Sequence, residues 1–278
     1  MGTDVRFTDA PDHVLEDAGP FLQSDPVRHN VILTLLEIRA AYPEPGNYWI
    51  VRLDGDVCGV GLQSPTNFFV TVTPMPAVAV MALVDAIVDH GGHVPGLNAD
   101  AATAARFAGQ WTERTRSAAR PVEGQRIYAV EDVVSPVGVA GHARPAVRDD
   151  RDFVVTSYEG FAAETGETGG FPPEMVADHR LRVGQLWVWD DETPVSVAGL
   201  SEPVAGVIRV GPVYTPRERR GRGYASALVA SLSTAVLARG QQCILYTDLG
   251  NATSNALYRA IGYRAVEEAL RYHFESSQ

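Results

Sequence analysis

The sequence of 278 residues predicts an α/β protein built from two copies of one fold. Three observations carry that prediction. The first is an ungapped repeat: Trp49–Pro65 and Trp187–Pro203 both run Trp, apolar, an acidic turn, then Val-x-x-x-Gly-Leu-x-x-Pro. Each reads as a β-hairpin, two extended apolar runs around a short polar turn. The second is that the same elements follow each hairpin, about half a chain apart, as a duplication requires. The third is a glycine- and arginine-rich loop, Arg220-Gly221-Arg222-Gly223-Tyr224-Ala225, that sits between a strand and a helix in the second copy only.

Taken in order, the first hairpin leads to an extended run, Phe68–Pro74, and a helix near Val78–His90 that Gly91-Gly92 stops. A second helix is expected near Ala99–Gln110, and Arg126–Val133 alternates like a strand that closes the first half. Val134–Gly141, rich in Val, Gly and Pro, reads as a linker. The expected division is therefore residues 1–135 and residues 136–278. In the second half, Asp149–Glu164 is expected to be helical, Gly166–Pro173 (GETGGFPP) a loop, and Glu174–Arg180 a short helix. Val207–Tyr214 is the strand before the glycine loop. The helix after it, near Tyr224–Arg239, carries Ala225, Leu228, Val229, Leu232 and Val236 on one face. Arg239 and Gly240 are its stop signals, Cys243–Thr247 is a short buried strand, and Leu270–Phe274 alternates with His273 on the solvent side.

Composition narrows the function classes. A hydrophobic content of 45% suits a protein with a real core. A formal net charge of −11 argues against a general nucleic-acid binder and weakly favours a cationic substrate. Cys58 and Cys243 lie far apart in apolar runs and read as reduced, buried thiols. No metal site is expected, since no His or Cys constellation is present; His142 and His179 stand alone. No apolar run is long enough to span a bilayer, and MGTDVRFTDAPDHV has no apolar signal core. The expectation is a cytoplasmic protein with no membrane partner, monomeric or homodimeric.

Against that acidic background, Arg217, Arg219, Arg220 and Arg222 crowd one loop. Glycines let consecutive backbone N–H groups point one way, and a helix N-terminus adds positive potential. The combination suits an anion such as a pyrophosphate. A Walker A loop would need Gly-Lys-Ser/Thr, but Gly223 is followed by Tyr224-Ala225. A dinucleotide fingerprint misses only its third glycine, at Ser226, with Asp248 placed like a ribose-binding acid. The long loop from Thr215 to Arg220 speaks against it.

Arg220–Ala225 resembles the Arg/Gln-x-x-Gly-x-Gly/Ala acetyl-CoA loop of the GNAT superfamily of N-acetyltransferases. Asn251-Ala-Thr-Ser254-Asn255-Ala-Leu257-Tyr258-Arg-Ala-Ile261-Gly262-Tyr263 is similar to the family's next element, Asn-x-x-Ser/Ala-x-x-Leu-Tyr-x-x-x-Gly-Phe/Tyr. Two motifs in the right order, with a strand between them, are far more specific than either alone. On helical spacing Asn251, Ser254, Asn255 and Tyr258 share a polar face, which suggests a helix lining a cleft, while Leu257, Ala260 and Ile261 occupy another. Asn251 also reads as the N-cap.

The resemblance implies two tandem GNAT-like domains, each a mixed, mostly antiparallel twisted sheet flanked by helices. It implies direct transfer of an acetyl group from acetyl-CoA to the amine of a small molecule or peptide. Amides of Gly221, Arg222, Gly223, Tyr224, Ala225 and Ser226, beside Arg220, would hold the pyrophosphate. Val213, Tyr214 and Thr215 would pair with the pantetheine arm, helped by Asn251 and Ser254. Tyr258 holds the family's general-acid position. For the base, Glu202, Asp248 and a water chain remain open. The first half has no such loop after Pro74 and is expected to be degenerate, shaping an acceptor pocket rather than binding CoA. A competing reading is a non-catalytic acyl-CoA sensor or scaffold.

Overall fold

The computed structural model describes residues 2–165 and 172–275, except for the side chain of Glu123. The order of elements repeats. The first run is β1 (Thr3–Thr8), α1 (Pro11–Ser24), α2 (Asn30–Ala41), β2 (Asn47–Leu53), β3 (Asp56–Gln63), β4 (Val70–Val72), α3 (Ala77–His90), β5 (Gly96–Asp100), α4 (Ala101–Thr115) and β6 (Ala118–Val130). The second is β7 (His142–Pro145), α5 (Arg151–Thr165), α6 (Pro173–Arg182), β8 (Leu186–Asp191), β9 (Thr193–Leu200), β10 (Val207–Tyr214), α7 (Tyr224–Leu237), β11 (Gln242–Asp248), α8 (Ala252–Ala260) and β12 (Arg264–Glu275). Both predicted hairpins are present, as β2–β3 and β8–β9. The expected strand Phe68–Pro74 shrinks to Val70–Val72 because Pro74 and Pro76 supply no N–H for a ladder. The strand expected at Arg126–Val133 instead runs from Ala118 to Val130. Of the expected loop Gly166–Pro173, residues 166–171 lie outside the described residues.

Two compact units are present, and they are not the consecutive halves 1–135 and 136–278. One comprises Met1–Ile127, Asp248–Gly250 and Ala265–Gln278; the other comprises Tyr128–Thr247 and Asn251–Arg264. The sequence reading missed this because strand pairing, not chain continuity, decides where β12 belongs. In the first unit the strands lie in the order β1-β2-β3-β4-β5-β12, with β6, most of which belongs to this unit, next to β12. From β1 to β12 all neighbours are antiparallel except β4 and β5. Its core gathers Trp49, Val51, Leu83, Ile87, Leu97 and Phe107. In the second unit the order is β7-β8-β9-β10-β11, again antiparallel except for the last pair, β10 and β11.

The second unit's sheet is covered on both faces. On one side α7 buries Leu228, Val229, Leu232 and Val236 against Ile208, Val210, Cys243 and Leu245; of the stripe its spacing predicts, only Ala225, in the first turn, stays out of the core. On the other, Val154, Tyr158 and Ala177 of α5 and α6 pack on Leu186, Val188 and Val197. Helix α7 ends at Leu237, and Gly240 takes the left-handed backbone (φ +73°) that turns the chain into β11. No described helix is long and apolar enough to cross a membrane.

Candidate functional site

Strand β10 positions the site. It pairs in parallel with β11 only over Val207–Val210, opposite Gln242–Leu245. On its other edge it stays paired with β9 to Tyr214, but the register slips between Val210 and Val213. Such a bulge bends the strand it occupies. Residues Gly211–Tyr214 therefore keep one partner and part from the other, leaving that edge's backbone groups open. Val213 and Tyr214, predicted to meet a pantetheine arm, lie on this stretch. Buried Ser196 fixes its end, donating to the Tyr214 carbonyl at 3.1 Å and sharing a 2.9 Å hydrogen bond with Thr215 Oγ1.

The chain then turns through Arg217–Arg219 into the glycine loop. Gly221 (φ +78°) and Gly223 (φ +82°) both adopt left-handed backbone, which is why glycine stands at these positions. Gly223 is the N-cap of α7 and offers no capping side chain. The first recorded helical bond here runs from the Ala227 N–H to the Gly223 carbonyl at 2.9 Å. Among the described residues the N–H groups of Gly221 to Ser226 have no protein acceptor. A helix start often finds side-chain caps for these donors; here no side chain caps them, and they are free to meet water or an anion. Tyr224 contributes only its N–H: its buried ring anchors the helix, with the hydroxyl donating to Asp191 Oδ2 at 2.5 Å.

The arginines divide. Arg220 donates from Nε to the Thr215 carbonyl at 2.8 Å, stacks over the Tyr214 ring at 5.3 Å, and grips both oxygens of Glu164 at 2.9 Å. Arg217 and the Tyr214 hydroxyl donate to the same carboxylate at 3.0 and 3.1 Å. The Arg217 bond, followed by that from Arg220, holds Glu164 below the usual carboxylate range. Arg219 and Arg222 are exposed and make no ion pair among the described residues. Glu164 was not singled out in the sequence, since nothing in its helix marks it as facing the loop. A groove of about 820 Å³ runs beside this cluster, lined among others by Phe153, Ser157 and Gly160 of α5 and by Tyr214 and Pro216.

Helix α8 carries the second motif. Asn251 is its N-cap, accepting from the Ser254 N–H at 2.9 Å, so both are spent partly on the helix itself. The polar face is not an open cleft wall along its length. Asn255 is buried, accepting from the Tyr128 hydroxyl at 3.0 Å and donating to the Asn251 carbonyl at 2.8 Å. Tyr258 is buried with it, its ring 6.4 Å from Tyr128 and 6.0 Å from Tyr263, while Ala260 on the supposed packing face is exposed. Aromatic rings bury more apolar area than alanine, so they win the core. Burial pushes the Tyr258 phenol up to about 12.

The two candidate bases fare differently. Glu202 lies in the β9–β10 turn, exposed and bonded to Gln185 Nε2 at 3.0 Å. Its neighbour Ser201 pairs with Arg209 in the part of β10 still joined to β11, so the register puts Glu202 at the opposite end of β10 from Tyr214. Asp248 is the last residue of β11, half-buried, accepting from Gln125 Nε2 at 3.5 Å, and counts with the first compact unit. His273 is exposed on β12, as expected, with its ring edge against Phe69 at 4.7 Å. Cys58 and Cys243 are free thiols, the first half-buried and the second buried. Among the described residues no three His, Cys, Asp or Glu side chains gather as metal ligands would.

The first unit has no equivalent loop. Pro74 and Pro76 lack N–H groups, the Met75 N–H is taken by Thr103 Oγ1 at 3.3 Å, and the Pro76 carbonyl accepts from Ala79 and Val80. The Met75 side chain packs down onto Gly59, where a Cβ would come within 2.3 Å of it.

The family described as FR47-like protein matches residues 196–272, the stretch from β9 through the glycine loop and α8 into β12. No curated protein sequence matches. Among solved structures, a GCN5-related N-acetyltransferase from Sphaerobacter thermophilus is 19% identical, with a TM-score of 0.63 over 99% of this chain and 96% of its own. A GNAT-family acetyltransferase from Colwellia psychrerythraea is 10% identical, with a TM-score of 0.61 over 98% and 100%. A tandem GNAT protein from the clavulanic acid biosynthesis pathway is 14% identical, with a TM-score of 0.55 over 100% and 99%.

Proposed function

We propose that this chain, which has the GNAT fold and an FR47-like segment over its glycine loop, is an acetyl-CoA-dependent N-acetyltransferase. The observation that carries the reading is the row of unpaired N–H groups from Gly221 to Ser226, next to a strand whose edge opens at Gly211. The pyrophosphate of acetyl-CoA fits the first, and a pantetheine amide fits the second as an added half-strand.

In this reading a neutral amine attacks the thioester carbonyl. A C–N bond forms, the carbonyl electrons move onto oxygen, and a backbone N–H of the open β10 edge steadies that charge. The intermediate collapses with cleavage of the C–S bond. The amine's proton passes to water, and the CoA thiolate takes a proton back. Tyr258, with a pKa near 12, is fully protonated at any working pH. An ordinary thiol sits near ~8.5, so outright transfer from Tyr258 would be uphill by roughly 5 kcal/mol. The phenol therefore serves best as a hydrogen-bond donor that stabilises the leaving thiolate while solvent completes its protonation.

The first unit is proposed to bind no CoA: before α3 Pro74 and Pro76 offer no N–H, the Met75 N–H is taken by Thr103, and no glycine or arginine stands in the turn. The direct test of the reading is release of free CoA thiol from acetyl-CoA across a diverse amine library. Turnover with at least one amine is expected, and acetyl-CoA that neither binds nor is consumed would refute it.

A further inference from the structure

Two arginines on the α5–α6 face of the second unit make no contact with any carboxylate among the described residues. Arg209 projects from β10 with its guanidinium carbon 5.5 Å from the centre of the Tyr246 ring, on β11. It is largely buried, and that burial lowers its pKa, with the charge of Arg180 pushing the same way. Arg180 reaches from α6 to the Gly211 carbonyl at 2.8 Å and to the Tyr158 hydroxyl at 3.3 Å. The fold clears space for this guanidinium: a Cβ on Gly199 would come within 2.2 Å of Arg180 Nη1. The Tyr246 hydroxyl, buried beside the pair, meets only the Arg209 guanidinium, and its own proton has no acceptor among the described residues. Glu202, near in the register, is turned to Gln185 instead.

A largely buried guanidinium with a second, half-buried one near it is costly unless an anion joins them. Arginine's planar fork suits a carboxylate in particular. Their place is informative too. Gly211 is the first residue past the last β10–β11 pair, so Arg180 grips the backbone where the strands part. Walking back along β10 from the glycine loop, this is where the thioester end of a bound acetyl-CoA would lie; this step rests on the function proposed above.

We infer that the reacting end of the site takes a carboxylate, held by Arg180 and Arg209 with the Tyr246 hydroxyl as a further donor. Two sources share that chemistry. The carboxylate belongs either to the acceptor, making it an amino-acid-like zwitterion, or to the far end of a dicarboxylic acyl group. In the first case the net negative charge of the chain misleads about the acceptor, because two guanidinium groups set the local charge here.

The test is calorimetry on the full chain. Acetyl-CoA is titrated first. Protein saturated with CoA, which cannot transfer, is then titrated with amino acids and with their primary amides as matched pairs. Succinyl-CoA is compared with acetyl-CoA in parallel. At least one carboxylate is expected to bind about tenfold or more tighter than its amide, or succinyl-CoA tighter than acetyl-CoA by as much. The first result assigns the carboxylate to the acceptor and the second to the acyl group. Arg209→Met and, separately, Arg180→Met should each erase the preference while acetyl-CoA still binds. Arg209→Lys should retain part of it. The wild-type comparison stands even if a variant fails to fold. If acetyl-CoA binds but neither comparison discriminates, or the preference survives both methionine variants, the inference is wrong. If acetyl-CoA does not bind, the function proposed above fails first.

Discussion

Tyr258 is the residue on which mechanism and stability meet. Its ring belongs to the core beside Tyr128 and Tyr263, so removing only the hydroxyl should leave the fold intact. Tyr258→Phe should lower turnover about a hundredfold with acetyl-CoA affinity near wild type. Steady-state kinetics beside calorimetry check this, and unchanged turnover would remove Tyr258 from the reaction. The sign of its pKa shift gives a second expectation. A donor is present below its pKa, and this one stands near 12. The turnover profile of the wild type should therefore rise with pH as the amine deprotonates and show no fall assignable to Tyr258 below about pH 10. At this scale the sequence was legible where backbone conformation dictates the residue, as at Gly221 and Gly223. It was illegible where only partners give a residue meaning. Arg209 was hidden inside an apolar strand, and its one signal was a charge among Val207, Ile208 and Val210. Glu164 carried no local mark at all.

At the level of elements, the loop between β10 and α7 should tolerate very little. Gly223 sits at φ +82° with a would-be Cβ 3.0 Å from Val139 Cγ2. A Gly223→Val chain should lose acetyl-CoA binding by calorimetry while keeping its helical circular dichroism, because both the strain and the methyls fall where the pyrophosphate needs bare N–H groups. Edge strand β7 depends on a charge cluster instead. Arg144 donates to both oxygens of buried Asp150 at 2.6 and 2.9 Å and to Asp190 at 2.6 Å. Those bonds, with the Val147 N–H, hold Asp150 below the usual carboxylate range. A depressed carboxylate stabilises the fold above its unfolded pKa of about 4 and loses that contribution as pH falls through the folded value. Asp150→Ala should cost about 2 kcal/mol in denaturant unfolding at neutral pH, and less in acid. Element order, both hairpins and α7 were readable because each shows a clean period and a clear stop. The ends of β4 and β6 were not, since a ladder's length depends on its neighbour.

For the whole molecule, the question is how many cofactors one chain holds. The first unit repeats the strand and helix order of the second, but its turn before α3 has prolines at 74 and 76, which carry no N–H, and the Met75 N–H is held by Thr103. One acetyl-CoA per chain is the expected stoichiometry in calorimetry, and two would show that the first unit is not degenerate. The repeated order of elements was visible in the sequence because both hairpins keep the Trp, turn and Gly-Leu spacing. The division into units was not. Nothing in the pattern of Leu270–Phe274 says which sheet the strand will join, and alternation fits either.

That pairing bears on the order in which the protein can form during synthesis. β12 lies against β5, Ala269–His273 opposite Gly96–Asp100, with the whole second unit's chain between them. A ribosome that has made the first unit's helices and β1 to β6 must make every residue to His273 before the edge of β5 is covered. Until then that edge is an open template for wrong partners. Residues 1–135 expressed alone should therefore aggregate, and a peptide of residues 264–275 supplied in trans should improve their solubility. A soluble, cooperatively folding 1–135 fragment would show that β5 needs no late guardian.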